Sequence, residues 1–181
     1  MSDPFDQFVS TKAAEASNTG GDLNLVREKE IWLDKIDELY ALAEKSLSAY
    51  TVDGRIKLTK SDRMLYEELL GNYSVKAMSI TIGREVVELE PVGTFLIGAR
   101  GRIDVKGPRG TARLVVVPPG ATEARIRIID SSSPKEDALT TEKRPKPEDW
   151  VWKISTAPPR VTYIDLDEDT FRSTLMGVVN G

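Results

Sequence analysis

The sequence predicts an α+β fold: N-terminal helices, one of them long, packed on a curved, mainly antiparallel sheet of about six to eight strands, with a short C-terminal helix. Three observations carry this. An apolar stripe at three- and four-residue steps runs from Trp32 to Tyr50. From Met78 to Asp130 apolar and charged residues alternate in short runs, the period of a sheet with one buried and one wet face. Tight turns separate those runs and leave no space for the crossover helices that parallel neighbours need.

Residues 1–21 read as a flexible tail, rich in Ser, Thr, Asn and Ala and ending in Gly20-Gly21, with only Phe5, Phe8 and Val9 as apolar anchors. Residues 22–181 read as a single domain. A helix from about Asp22 to Tyr50 places Trp32, Ile36, Leu39, Tyr40, Ala43 and Leu47 on one stripe, and Glu28, Lys29, Lys35, Asp37, Glu38, Glu44 and Lys45 on the solvated side. A projecting half of this helix would suit a helix-mediated homodimer. Asp53-Gly54 turns the chain into a short alternating segment, Arg55 to Thr59. Thr59 or Ser61 then starts a second helix, with Met64, Leu65 and Leu69 inward and Gly71-Asn72 as its end.

The sheet begins at Met78-Ser79-Ile80-Thr81-Ile82, turns at Gly83-Arg84 and returns through Glu85 to Glu90. Thr94 to Ala99 is apolar enough for a strand buried on both faces. Arg102 to Lys106, Thr111 to Val117 and Glu123 to Ile129 follow, joined by Gly107-Pro108-Arg109-Gly110 and Pro118-Pro119-Gly120. Residues 130–149 form a polar, mobile loop. Two strands come next, Trp150 to Ile154 and Arg160 to Ile164, and a last helix starts near Asp167 with Phe171, Leu175 and Val178 inward. Asp165 or Asp167 caps it, and Asp165 with Glu168 has capping-box spacing.

Composition excludes much chemistry. The chain holds no cysteine and no histidine. Disulfides, thiolate nucleophiles, Ser-His-Asp arrangements and histidine-containing metal motifs are therefore unavailable. What survives rests on carboxylates, Lys, Tyr or a carboxylate-held Mg²⁺, and no motif specifies one. The acidic start Met1-Ser2-Asp3-Pro4 lacks the order of a secretory signal, and no apolar run approaches the roughly 20 residues that span a bilayer. A cytoplasmic protein is the simplest expectation. The net charge of −4 argues against nonspecific nucleic-acid binding by the whole molecule.

Within that acidic chain, residues 78–129 are locally basic, with eight Arg/Lys against five Asp/Glu. Period two puts Arg102, Asp104 and Lys106 on one face of a strand, Arg113 on the next, and Arg125 and Arg127 on the one after. With Arg100 these form the candidate partner-binding set. The plain alternative is a solvated face laced by cross-strand ion pairs with Glu88, Glu90 and Asp104. The face lacks aromatics between its arginines, which counts against RNA. Asp104-Val105-Lys106 has the acid-x-Lys form of a Mg²⁺ nuclease strand, with Glu90 upstream, but a three-residue match in a tightly turned sheet carries little. Gly98-Ala99-Arg100-Gly101 lacks the following helix of a phosphate loop and reads as a bend. Trp150 and Trp152 read as core beneath the long helix, and Asp165, Asp167, Glu168 and Asp169 as helix-start acids rather than a cation site.

The expected function is a small non-catalytic interaction protein, immunity- or antitoxin-like, whose charged sheet face engages a protein partner and which needs no cofactor. The competing expectation is a small-molecule or nucleotide-binding domain, with or without enzyme activity, in which Arg100, Arg102 and Arg125 bind an anion between helix and sheet.

Overall fold

The computed structural model describes residues 19–94, 99–124 and 145–181, with side chains from residue 24 onward. Its seven strands are β1 (Ile56–Glu67), β2 (Gly71–Ile82), β3 (Glu85–Gly93), β4 (Arg102–Lys106), β5 (Thr111–Val117), β6 (Val151–Ser155) and β7 (Tyr163–Asp165). They lie in chain order in one open sheet, each antiparallel to its neighbour. Helices α1 (Thr19–Val52) and α2 (Glu168–Asn180) pack on one side of it. The predicted α+β architecture is the observed one.

One predicted element is different. The second N-terminal helix, expected from Thr59 to Gly71, is the β1–β2 hairpin. Lys57 to Tyr66 pairs residue for residue with Asn72 to Thr81. Met64, Leu65 and Leu69 do fall at helical spacing, yet Met64 and Leu69 are exposed and make no helical stripe. A long partner strand satisfies the backbone of the whole segment, and that outweighs a weak local preference. Gly71 misled for a physical reason: its φ of +69° suits the end of a helix and the return of a hairpin equally.

The α1 stripe behaves as its spacing demands. Trp32, Ile36, Leu39, Tyr40, Ala43 and Leu47 are buried against Met78, Ile80, Val87, Leu89, Ile103, Val105, Leu114 and Val116 on the inner face of the sheet. Each of the larger aliphatic side chains contributes about 1.5–3 kcal/mol by leaving water. Two glycines let the layers close. A Cβ on Gly101 would lie 2.3 Å from the Trp32 ring, and one on Gly107 would lie 2.3 Å from the Val178 carbonyl oxygen. Trp152 stands beside Trp32, ring centroids 6.0 Å apart, and its indole N–H donates to the Lys35 carbonyl at 2.7 Å. Trp152 is thus core, as expected; Trp150 precedes the strand and is half-buried.

Curvature is concentrated in the first hairpin. Along β2 burial changes phase at the adjacent buried pair Ala77-Met78, although the β1–β2 register runs on without a bulge. The twist natural to a two-stranded ribbon accounts for this, and it brings the hairpin tip, at Leu69 and Leu70, beside Leu25, Val26 and Lys29 of α1. A register shift falls between Pro91 and Gly93 on β3; the bend expected at Gly98–Gly101 begins outside the described residues.

At the C-terminus, Asp167 caps α2. Its side chain accepts from Thr170 N at 2.8 Å, and Thr170 Oγ1 accepts from Asp167 N at 2.8 Å. The reciprocal box therefore forms two residues later than the Asp165–Glu168 spacing suggested. Arg172 ties α2 to α1 by donating to the Ser46 carbonyl at 2.9 Å. The expected strand Thr94 to Ala99 lies outside the described residues at 95–98. Glu123, which starts the expected Glu123–Ile129 strand, forms an isolated bridge with Thr162, and the remainder from 125 lies outside. So do the tail at 1–18 and most of the 130–149 loop, whose described end is a 3-10 turn at Pro147–Asp149. Among the described residues, no helix is long and apolar enough to cross a membrane.

Candidate functional site: the charged outer face of the sheet

Strand alternation sends Ile103 and Val105 toward α1, and Arg102, Asp104 and Lys106 to the opposite face. The register sets Lys106 opposite Glu88, Asp104 opposite Glu90 on one side, and Asp104 opposite Arg113 on the other. Four of the candidate residues are described: Arg100, Arg102, Lys106 and Arg113. Arg125 and Arg127 lie outside the described residues.

Three of those four have carboxylate partners. Arg102 forks onto Asp104, Nε to Oδ1 at 2.6 Å and Nη2 to Oδ2 at 2.8 Å. The hydrogen bond that Arg102 donates to Asp104 raises the Arg102 pKa against the opposing effect of burial. Lys106 Nζ donates to Glu90 Oε2 at 2.6 Å, and Arg63 of β1 reaches the same oxygen at 3.2 Å. The Lys106 hydrogen bond, with the charges of Arg63 and Lys106, holds the Glu90 carboxyl below the usual range although burial works the other way. Arg63 stands on β1 and its target on β3, so this ion pair spans β2. Glu88 accepts from Ser79 at 2.8 and 2.7 Å.

Arg100 stands elsewhere. It pairs with Glu28 of α1 and lies 5.0 Å above the Trp150 ring, clamping the helix to the β6 end of the sheet. The structure therefore gives Arg100 and Arg102 separate acidic partners, and Trp32 fills the space against Gly101 between helix and sheet. Arg113 is the exception. It is exposed, and among the described residues no carboxylate lies within ion-pair distance of it.

The face is not uniform. Along β3 it presents Val86, Glu88, Glu90 and Val92, and the two valines are exposed. Toward β5 and β6 it closes, with Val115, Val117 and Lys153 buried and Lys153 Nζ 2.8 Å from Asp165. The C-terminal acids are likewise engaged: Asp165 by Lys153, Asp167 in its cap, Glu168 by Lys45 at 2.5 Å, and Asp169 by Arg172. Among the described residues, no group of three or more carboxylates is arranged to hold a metal ion.

Sequence reasoning missed one concavity, an apolar cleft of about 440 Å³ where α1, α2 and the start of the β1–β2 hairpin meet, lined by Leu47, Tyr50, Ile56, Ile82, Leu175 and Met176. Its Arg55 is held by Asp53 at 2.7 Å and lies over the Tyr50 ring, and its Arg172 by Ser46 and Asp169. Its walls come from segments far apart in the chain, which no local pattern brings together.

Fold and surface together define an α+β protein whose charged side chains largely neutralise one another. No protein-family model, no curated protein and no solved structure matches the chain.

Proposed function

We propose that this protein is a non-catalytic, immunity- or antitoxin-like binder, acting in the cytoplasm, that engages another protein through the outer face of β3 and β4 and the adjoining part of β5. The observation that supports this is Arg113. It is an exposed guanidinium with no ion-pair partner among the described residues, opposite Asp104 across the β4–β5 ladder, on a face that also carries the Glu90–Lys106 pair and, farther off along β3, exposed Val86 and Val92. An arginine fork free to meet a carboxylate, on a face that also exposes apolar side chains, is the chemistry of an interface anchor. The paired charges around it fix orientation and choice of partner more than affinity.

Affinity capture from the native extract tests the reading. Wild-type bait retains a partner, and R113E bait, folded to the same extent, loses it. A partner held equally by both, or none held by either, overturns it.

A further inference from the structure

The two edges of the sheet are treated differently. β7 spans 3 residues, shortly after Pro158-Pro159. β1 spans 12 residues, contains no proline, runs without a bulge, and receives no backbone hydrogen bond on its outer edge from any described residue. Proteins ordinarily shorten, bulge or block such an edge, because its free N–H and C=O groups template another strand. We propose that the occupant of this edge is β1 of a second copy, joined antiparallel about a two-fold axis through Ser61, so that the sheets of the two copies become continuous.

The register follows from geometry and charge. An edge strand points its free N–H and C=O groups outward from alternate residues only. Two identical antiparallel edges therefore pair even-numbered residues with even-numbered, and odd with odd. Of the central registers this allows, one places Lys60 on Lys60, a second Asp62 on Asp62, and a third Arg63 on Arg63. The register centred on Ser61 avoids all three. It sets Lys60 against Asp62 of the second copy, twice by symmetry, with Leu58 against Met64 and Ile56 against Tyr66. On the opposite face it sets Thr59 against Arg63 and Lys57 against Leu65. No like charges meet, and on the first face apolar meets apolar at every pair flanking the two Lys60–Asp62 couples.

The side chains already in place suit this arrangement. Met64 and Tyr66 are 64% and 71% exposed, whereas Ile56 and Leu58, which they would cover, are half-buried at the margin of the core. Glu44 holds Lys60 at 2.7 Å, and Lys76 holds Asp62 at 2.6 Å. Across the axis the charges would run Glu44, Lys60, then Asp62 and Lys76 of the second copy, alternating in sign throughout. The edge lies away from Arg113, so this dimer and the partner face are separate surfaces.

Light scattering on the eluting protein reads the mass, and charge reversal tests the register. The wild type elutes as a dimer. K60D and D62K each weaken dimerisation about tenfold or more, because each turns two attractions into repulsions. The double variant K60D/D62K restores the dimer, and mixing the two single variants yields a heterodimer. The chain has no cysteine, so S61C introduces a single thiol. A short bis-maleimide joins two S61C chains across the axis but leaves T59C chains apart, whose thiols would stand about 13 Å from each other. Ser61 and Thr59 are both exposed, so the cysteine comparison reads the folded protein even if a charge reversal disturbs the Glu44 or Lys76 pairs. A wild type that stays monomeric, a dimer indifferent to both reversals, or T59C cross-linking as well as S61C overturns the proposal.

Discussion

At the scale of the residue, the outer face is a ladder in which most charges have been matched locally. Arg102 is held by Asp104, Lys106 and Arg63 share Glu90, and Arg113 keeps its fork free among the described residues. Period two alone placed Arg102, Asp104 and Lys106 on one face, because alternation is a property of the extended chain; Arg113 joins that face through the hairpin register that sets it opposite Asp104. Arg100 could not be placed that way. It precedes the strand, and its partner Glu28 lies 72 residues away on α1, a distance that only the tertiary structure closes. Gly101 offers a direct check on the packing. The G101A methyl would enter the Trp32 ring, an aromatic fixed between the helix and Trp152. Denaturant unfolding of G101A is expected to show a loss of about 1–3 kcal/mol, the usual cost of overfilling a packed core. An unchanged midpoint would place Trp32 elsewhere.

Elements follow when a segment's local signal agrees with its partners, and mislead when they compete. The α1 stripe and the sheet runs were legible because the apolar period matches the buried face in each. The stretch from Thr59 to Gly71 was not, since its apolar residues are few, mostly exposed, and consistent with either period. What decided it was β2, a partner that no local pattern reveals. Between elements, Tyr40 is the tie that can be tested. Its hydroxyl donates to the Lys76 carbonyl at 2.7 Å, with the Leu89 carbonyl at 3.5 Å, joining α1 to β2 and β3. Y40F should cost about 1–3 kcal/mol, because a buried carbonyl loses its donor. The pH dependence has a definite sign. Burial, with a smaller effect from the Asp37 charge, raises the Tyr40 pKa, and burial followed by the Glu67 hydrogen bond raises that of Tyr73. For groups raised on folding, stability is complete below the unfolded pKa of about 10 and falls as pH climbs above it. The alkaline loss should therefore be shallower in Y40F than in the wild type, as read by thermal melts across that range. Equal slopes would mean that the Tyr40 hydroxyl is hydrated in the native state.

At the scale of the molecule, one side of the sheet is committed to the core by α1 and α2, and no helix among the described residues packs on the other side, where we propose that the partner binds. The sheet's antiparallel class was readable from turn spacing, since short connections leave no room for crossovers. The biochemical role was not, because absent histidine and cysteine narrow the chemistry without selecting a partner. The central claim is that the partner sits on the outer face at Arg113. Site-specific photo-cross-linking addresses it most directly, with a photoreactive residue at position 113 and, for comparison, at exposed position 84 in the β2–β3 turn. The account predicts one discrete adduct with another protein in native extract from position 113 and none from position 84. An adduct from position 84 alone, or from neither position, would contradict it.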